Sequence, residues 1–221
     1  VSAKDERLGA LVAEALVGAG KYGSISVEES KNATTRVELQ NGIVFSRGLA
    51  SEAQLLSSAV INLADPMVVV ASFHLQDATC IMPLLAESQH LGRPIVFIAP
   101  GFSGTALEAI VVNTSEGAVD AYAINADKRG AAQTDWLEDM AYATGQAGVI
   151  ATQGEMDKAP NTLQYGRVKS ATLSLRKSTL AGLSDDGFFA AHVKSLIARS
   201  KSSPSEALQS RIAALTGGAV T

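Results

Sequence analysis

The sequence predicts an α/β fold with a central sheet region flanked by helices, an additional β-rich layer and a C-terminal helix pair. Three observations lead there. From Pro66 the chain alternates Met67-Val-Val-Val-Ala71, a helical stretch from Asp77 to His90, Pro94-Ile-Val-Phe-Ile-Ala99 and a second helical stretch from Gly104 to Thr114, with short connections. Continuous apolar runs joined by helices are the mark of parallel strands buried on both faces. Shorter alternating runs lie before and after this block, and two helical periods follow the Asp185-Asp-Gly turn.

The elements follow in chain order. Between Asp5 and Ala19, apolar residues at Leu8, Leu11, Val12, Ala15 and Leu16 keep a helical period, and Gly18 and Gly20 break it. Ser24 to Glu28 and Thr35 to Leu39 alternate as half-buried strands do, and Asn41-Gly42 is a turn signal. After the parallel block, Ala118 to Asn125 reads as a strand and Asp127-Lys-Arg-Gly130 as a solvated loop. A helix then carries Trp136, Leu137, Met140 and Ala141 on one stripe, leading to Gly148-Val-Ile-Ala151. Tyr165 to Leu175 reads as further β structure. The last two helices run from Phe188 to about Lys201 and from Pro204 to Leu215, with Ser203 as N-cap and Pro204 at the first helical position.

Composition narrows the function classes. Nearly half of the 221 residues are hydrophobic, enough for one large core with a small appendage. With 22 acidic against 18 basic residues there is no basic stripe, which argues against a nucleic-acid surface. Cys80 is the only cysteine, so an internal disulfide and a cysteine-ligated zinc are excluded, and an intracellular protein is the simplest expectation. No apolar run is long enough to span a membrane as a helix. The first residues lack a signal-peptide cleavage pattern and an initiator Met, and they read as the middle of a helix-rich region excised from a longer chain.

Few motifs carry chemistry. Ala99-Pro-Gly-Phe-Ser-Gly104 follows a strand and opens a helix, the place where backbones bind phosphate, yet it has neither dinucleotide nor P-loop glycine spacing. An α/β small-molecule-binding or enzyme domain using this loop is the alternative reading. His74, His90 and His192 are scattered without metal spacing, and no nucleophile-elbow pattern surrounds Ser103. No catalytic residue and no metal ligand is assigned. The more informative signal is an apolar surplus on two helices. Ala78, Ile81, Met82, Leu84, Leu85, Ala86 and Leu91 form a band wider than one stripe, and Ala106 to Val112 is apolar nearly all round. Such helices are either sandwiched between layers or leave a face open.

The motif order resembles a known family. Val12-Ala-Glu-Ala15, Gly20-Lys-Tyr-Gly-Ser-Ile-Ser-Val-Glu28, Gly42-Ile-Val-Phe-Ser-Arg-Gly48, Met82-Pro-Leu-Leu85, Gly92-Arg-Pro94, Ala106-Leu with Val111-Val-Asn-Thr114, and Leu215-Thr-Gly-Gly-Ala219 are similar, in order and spacing, to the group I (GroEL-like) chaperonins. The resemblance runs over nearly the whole chain. It implies an intermediate-domain remnant with connecting strands over 1–41, an apical polypeptide-binding domain over 42–218, and the start of the return to the intermediate domain over 219–221.

It also implies a molecular chaperone that binds non-native polypeptide, and then the mobile loop of a GroES-like co-chaperonin, in an apolar groove between the two helices. The residues implied are Leu49, Met82, Leu85, Leu107, Val111, Val112 and Asn113, with the apolar faces of both helices open to solvent. Gly42, Gly217 and Gly218 correspond to the hinge, where glycine absorbs large backbone rotations. The chain departs from the family after Arg47-Gly48, where aromatic residues are usual and Leu49, Ala53 and Gln54 stand here. It also departs at Asn125-Ala-Asp-Lys-Arg-Gly130, which replaces a Pro-Gly-Phe-Gly-Asp loop. The expected chain holds no cofactor and is not itself an enzyme. ATP, Mg and their hydrolysis belong to the parent, a homo-oligomeric ring in the cytoplasm or an organellar matrix or stroma.

Overall fold

The computed structural model describes residues 24–25, 39–40, 42–45, 47–56, 58–126, 128–162, 164–184, 187–216 and 219–220, and it is a mixed α/β structure. The chain divides into two units, Val1–Val44 with Val193–Thr221, and Phe45–His192. The first boundary falls close to Gly42. The second falls between His192 and Val193, and Gly217 and Gly218 lie outside the described residues.

In the first unit, β1 (Ser24–Ile25) and β2 (Leu39–Gln40) flank β11 (Ala219–Val220), β1 running parallel and β2 antiparallel to it. The expected helix over Asp5–Ala19 and the rest of the strands expected at Ser24–Glu28 and Thr35–Leu39 lie outside the described residues. β3 (Gly42–Phe45) carries the chain into the second unit.

The second unit holds two sheets. β4 (Ile61–Ala64) leads through a tight turn into β5 (Met67–Val70), which pairs in parallel with β6 (Ile95–Ala99), and β6 with β7 (Ala121–Asn125). β8 (Gly166–Arg167) runs antiparallel along the first half of β5. β9 (Ser170–Leu173) and β10 (Ser178–Ala181) continue from there, and β9 lies between β10 and β4 in an antiparallel ladder. Every residue of β5 and β6 is buried, as their unbroken apolar runs require when helices cover both faces.

One face carries α1 (Met82–Leu91) and α2 (Gly104–Ser115). Their residues Leu84, Leu85, Ala106 and Ile110 share a core with Met67, Val69, Phe97, Ala99, Ala121 and Ala123. α3 (Ala131–Ala143) buries Leu137, Met140 and Ala141 and touches β5. α4 (Gln153–Thr162) was not predicted. It packs beside α1 and adds Met156 and Ala159 to the α1/α2 core, although its sequence is polar and contains Pro160. α5 (Gly187–Ser202) starts in this unit, where buried His192 Nε2 meets Asp139 Oδ1 at 2.8 Å and stacks on Tyr142. α6 (Glu206–Thr216) begins later than expected. Ser205, not Ser203, supplies the cap, its hydroxyl accepting from the Leu208 N–H at 3.2 Å.

Two buried glutamines finish strand edges. Beyond β8, the outer side of β5 meets, among the described residues, only an isolated parallel bridge from Ile150 to Ala71, and the Gln146 amide completes the edge. Val70 N–H donates to Gln146 Oε1 at 2.9 Å, and Gln146 Nε2 donates to the carbonyls of Val70 at 2.9 Å and Gly148 at 2.6 Å. On β7, Leu49 bridges Ile124, Ala50 N–H donates to the Ala123 carbonyl, and Ala123 N–H donates to Gln54 Oε1. Gln54 Nε2 is buried without a partner.

The β4–β5 turn is tethered by charge. Asp65, in the left-handed region at φ 53°, binds the Arg167 guanidinium through both carboxylate oxygens, and Arg93 lies 3.5 Å away. The hydrogen bond from Arg167 holds the Asp65 carboxyl below its ordinary pKa, with the charge of Arg93 assisting. A depressed carboxylate contributes stability above its unfolded pKa of about 3.9, and that contribution is lost as pH falls through the lower folded value. Asp65→Asn, which also tolerates the left-handed backbone, is therefore expected to lower the urea midpoint at pH 5. That deficit should shrink toward pH 2.5, and a deficit constant across this range would contradict the assignment.

Candidate functional site

The apolar face of α1 and α2 is the strongest candidate site, and local sequence explains how it is aimed. Asp77 caps the 3-10 turn Ala78–Cys80, its carboxylate accepting from Thr79 N–H and the Thr79 hydroxyl, each at 2.9 Å. These bonds lower the Asp77 pKa. Pro83 occupies the first turn of α1, where no N–H is needed, and Gly92 ends the helix at φ 63°, a left-handed position suited to glycine. Ser88 Oγ donates to the Arg93 carbonyl and closes that end. At the far end of α2, the Thr114 hydroxyl donates to the Ala121 carbonyl and accepts from the Ala121 N–H, joining helix to β7.

The expected residues divide into open and covered ones. Met82 is 49% exposed and Val112 is 47% exposed. Val111 is half-buried, and Leu107 packs partly buried against the core. Leu85 differs from expectation, at 2% exposure. It stands four residues after Ile81 and three before Ser88, so it falls within the stripe that α1 turns to the sheet instead of beside Met82. The expectation that Leu85 is open to solvent is thus corrected.

Leu49 is also buried, at 6% exposure, because it is held at the β7 edge by its bridge to Ile124 and by its N–H bond to the Ser174 carbonyl. Asn113 folds its amide back onto the Ala109 carbonyl at 2.7 Å. Leu91, 40% exposed, adds an apolar side chain at the end of α1. Of the hinge glycines, Gly42 is buried in β3, and Gly217 and Gly218 lie outside the described residues.

The two helices are therefore not sandwiched between layers. Each turns one stripe to the sheet and leaves Met82, Leu91 and Val112 in water, while Leu107 and Val111 stand between the two environments. Beside these apolar side chains the same helices expose Thr105, Glu108, Gln89 and His90, so the face is apolar in patches with polar groups between them.

The 99–104 loop is less open to a ligand than its position in sequence implies. Ser103 N–H donates to the Leu75 carbonyl at 3.0 Å and Ala106 N–H to the Gln76 carbonyl at 3.1 Å, so two donors that an anion would need are occupied. Ser103 Oγ lies 2.8 Å from His74 Nε2, and Gly101 leaves room for the imidazole, since a Cβ there would come within 2.6 Å of Nδ1. Among the described residues, no carboxylate pairs with His74. Cys80 is buried, and burial pushes its thiol pKa up, which suits a packed side chain and not a nucleophile.

Asp65, Thr144, Tyr165, Arg167, Lys169 and Ser184 line an open cavity of about 420 Å³ near β8. Among the described residues, no three His, Cys, Asp or Glu side chains gather to hold a metal ion. None of the described helices is long and apolar enough to cross a membrane. No family model matches the chain.

Proposed function

We propose that this chain is the polypeptide-holding apical domain of a group I (GroEL-like) chaperonin. The observation that carries the reading is the pair of neighbouring helices with Met82 and Val112 in water and Leu107 and Val111 half-covered beside them. Exposed apolar side chains on sheet-backed helices can bind apolar segments of many sequences, because hydrophobic contact has no directional readout. Each buried side chain adds about 1.5–3 kcal/mol at most, so a single domain binds weakly and a ring of them gains by multivalency.

In this reading the clients are unfolded polypeptides, and the mobile loop of a GroES-like co-chaperonin competes for the same face. The apical-domain-like fold is supported by the motif order together with the parallel sheet that both helices share. Leu49 and Leu85 support the face from within and do not touch the client. ATP and Mg act in parts of the parent ring outside this chain, which itself catalyses no reaction. A cytoplasmic setting fits the single buried cysteine.

The test is a Met82→Glu, Val112→Glu variant, since both side chains are about half exposed and neither belongs to the buried core. It is expected to bind an apolar peptide at least about tenfold more weakly and to lose suppression of light scattering by an unrelated denatured protein. Equal suppression by wild type and variant, with matching circular dichroism, would refute the assignment. Leu85→Glu is the wrong probe here, because it would place a charge in the core.

A further inference from the structure

The open edge of β4 has no role in the face just described. Asp65 N–H donates to the Lys169 carbonyl at 2.9 Å and Ser174 N–H to the Lys177 carbonyl at 3.0 Å. In an antiparallel ladder the backbone groups of successive residues alternate sides. Ala171 and Leu173 therefore face β4, and Ile61 and Leu63, opposite them, face β9. The N–H and C=O groups of Val60, Asn62 and Ala64 point away from the sheet. Among the described residues no backbone group pairs with them, and all three side chains are exposed.

Among the described residues, two other edges of this unit are closed. β7 is covered by Leu49, Ala50 and Gln54, and β5 is completed by β8 and Gln146. Natural edges left open are usually blunted by charge, proline or a bulge. From Ser58 to Ala64 there is no charged residue and no proline.

We propose that this chain pairs with a second copy of itself, edge to edge and antiparallel, through β4. A two-fold axis through Asn62 sets Asn62 against Asn62 of the other copy and Val60 against Ala64, each pair exchanging two backbone hydrogen bonds. Ile61 then faces Leu63 across the other side of the same ladder. An identical partner is the one for which any edge charge is necessarily met by its own sign, and this edge carries none. The Asn62 side chain is already turned along the sheet, its Oδ1 accepting from the Thr172 hydroxyl at 3.0 Å, so it does not block an approaching strand. The contact is small, and association is expected in the micromolar to millimolar range.

Sedimentation equilibrium of the 221-residue chain over this concentration range is expected to show a monomer–dimer equilibrium. Asn62→Lys with Ala64→Lys is expected to weaken it at least about tenfold by like-charge repulsion across the edge. Ala64→Pro deletes an outward N–H while leaving the bonds to β9 whole, and is expected to act in the same direction. The Met82→Glu, Val112→Glu variant should dimerise as the wild type does, which separates this contact from the helix face. A chain that stays monomeric throughout, a dimer indifferent to both edge variants, or one abolished by the helix-face variant instead would each overturn the proposal.

Discussion

Replacing Gln146 by leucine is expected to destabilise the second unit by about 1–3 kcal/mol, although leucine is apolar, similar in size and enters a buried site. The glutamine amide satisfies the N–H and helps satisfy the C=O of Val70 at a point where β5 has run out of neighbouring strand, and it also serves the Gly148 carbonyl. Without it the Val70 N–H is left unpaired in the core, which costs about 1–3 kcal/mol, whereas the part-exposed Gly148 carbonyl can turn to water. The Val70 carbonyl keeps the Ile150 N–H at 3.0 Å, which limits the loss. Urea denaturation gives the magnitude, and amide exchange at Val70 gives the location. A cost below about 1 kcal/mol with unchanged protection at Val70 would show that the amide is dispensable.

Gly48→Ala is expected to cost about 3 kcal/mol or more, or to abolish cooperative unfolding. A Cβ at this buried position would lie 1.9 Å from the Ser174 carbonyl oxygen and 2.2 Å from the Leu175 carbonyl carbon. Both obstacles are backbone, so no side-chain rotation relieves the overlap. The displaced strand end would also strain the 2.9 Å bond from Leu49 N–H to Ser174, which helps hold the segment covering the β7 edge. Gly148→Ala and Gly154→Ala serve as controls, because nothing lies within 4 Å of the added Cβ at either position. Gly154 sits in α4, where alanine is expected to stabilise by up to about 1 kcal/mol. Equal midpoints for all three variants would contradict the close approach at Gly48.

The parallel sheet and its helices were legible because their signals are local. Met67–Val70 and Ile95–Ala99 are unbroken apolar runs bounded by Pro66 and Pro94, and the α2 stripe of Ala106, Ile110 and Thr114 repeats every four residues. α4 was invisible for the opposite reason. Its residues are mostly polar, Gly154 and Pro160 read as breakers, and only Met156 and Ala159 face the core. Leu85 was misplaced because the width of an apolar band does not tell which residue falls on the sheet side. Gln54 and Gln146 show a further limit, since a glutamine in a connecting segment looks like a surface residue until the strand edge it completes is known. Leu49 belongs with them, as an apolar residue after a glycine whose burial depends on a bridge to a strand far along the chain.

The hydroxyl of Thr114 has a mechanical consequence. Because it clasps both polar groups of Ala121 while lying 3.0 Å from the Ile110 carbonyl, α2 cannot roll about its long axis without breaking bonds in a dry interior. Val111 and Val112 are therefore presented at a fixed angle, like teeth on a locked wheel. A segment docking there, as proposed, would have to do the adapting, and the loss of conformational freedom would fall on the visitor rather than on the host.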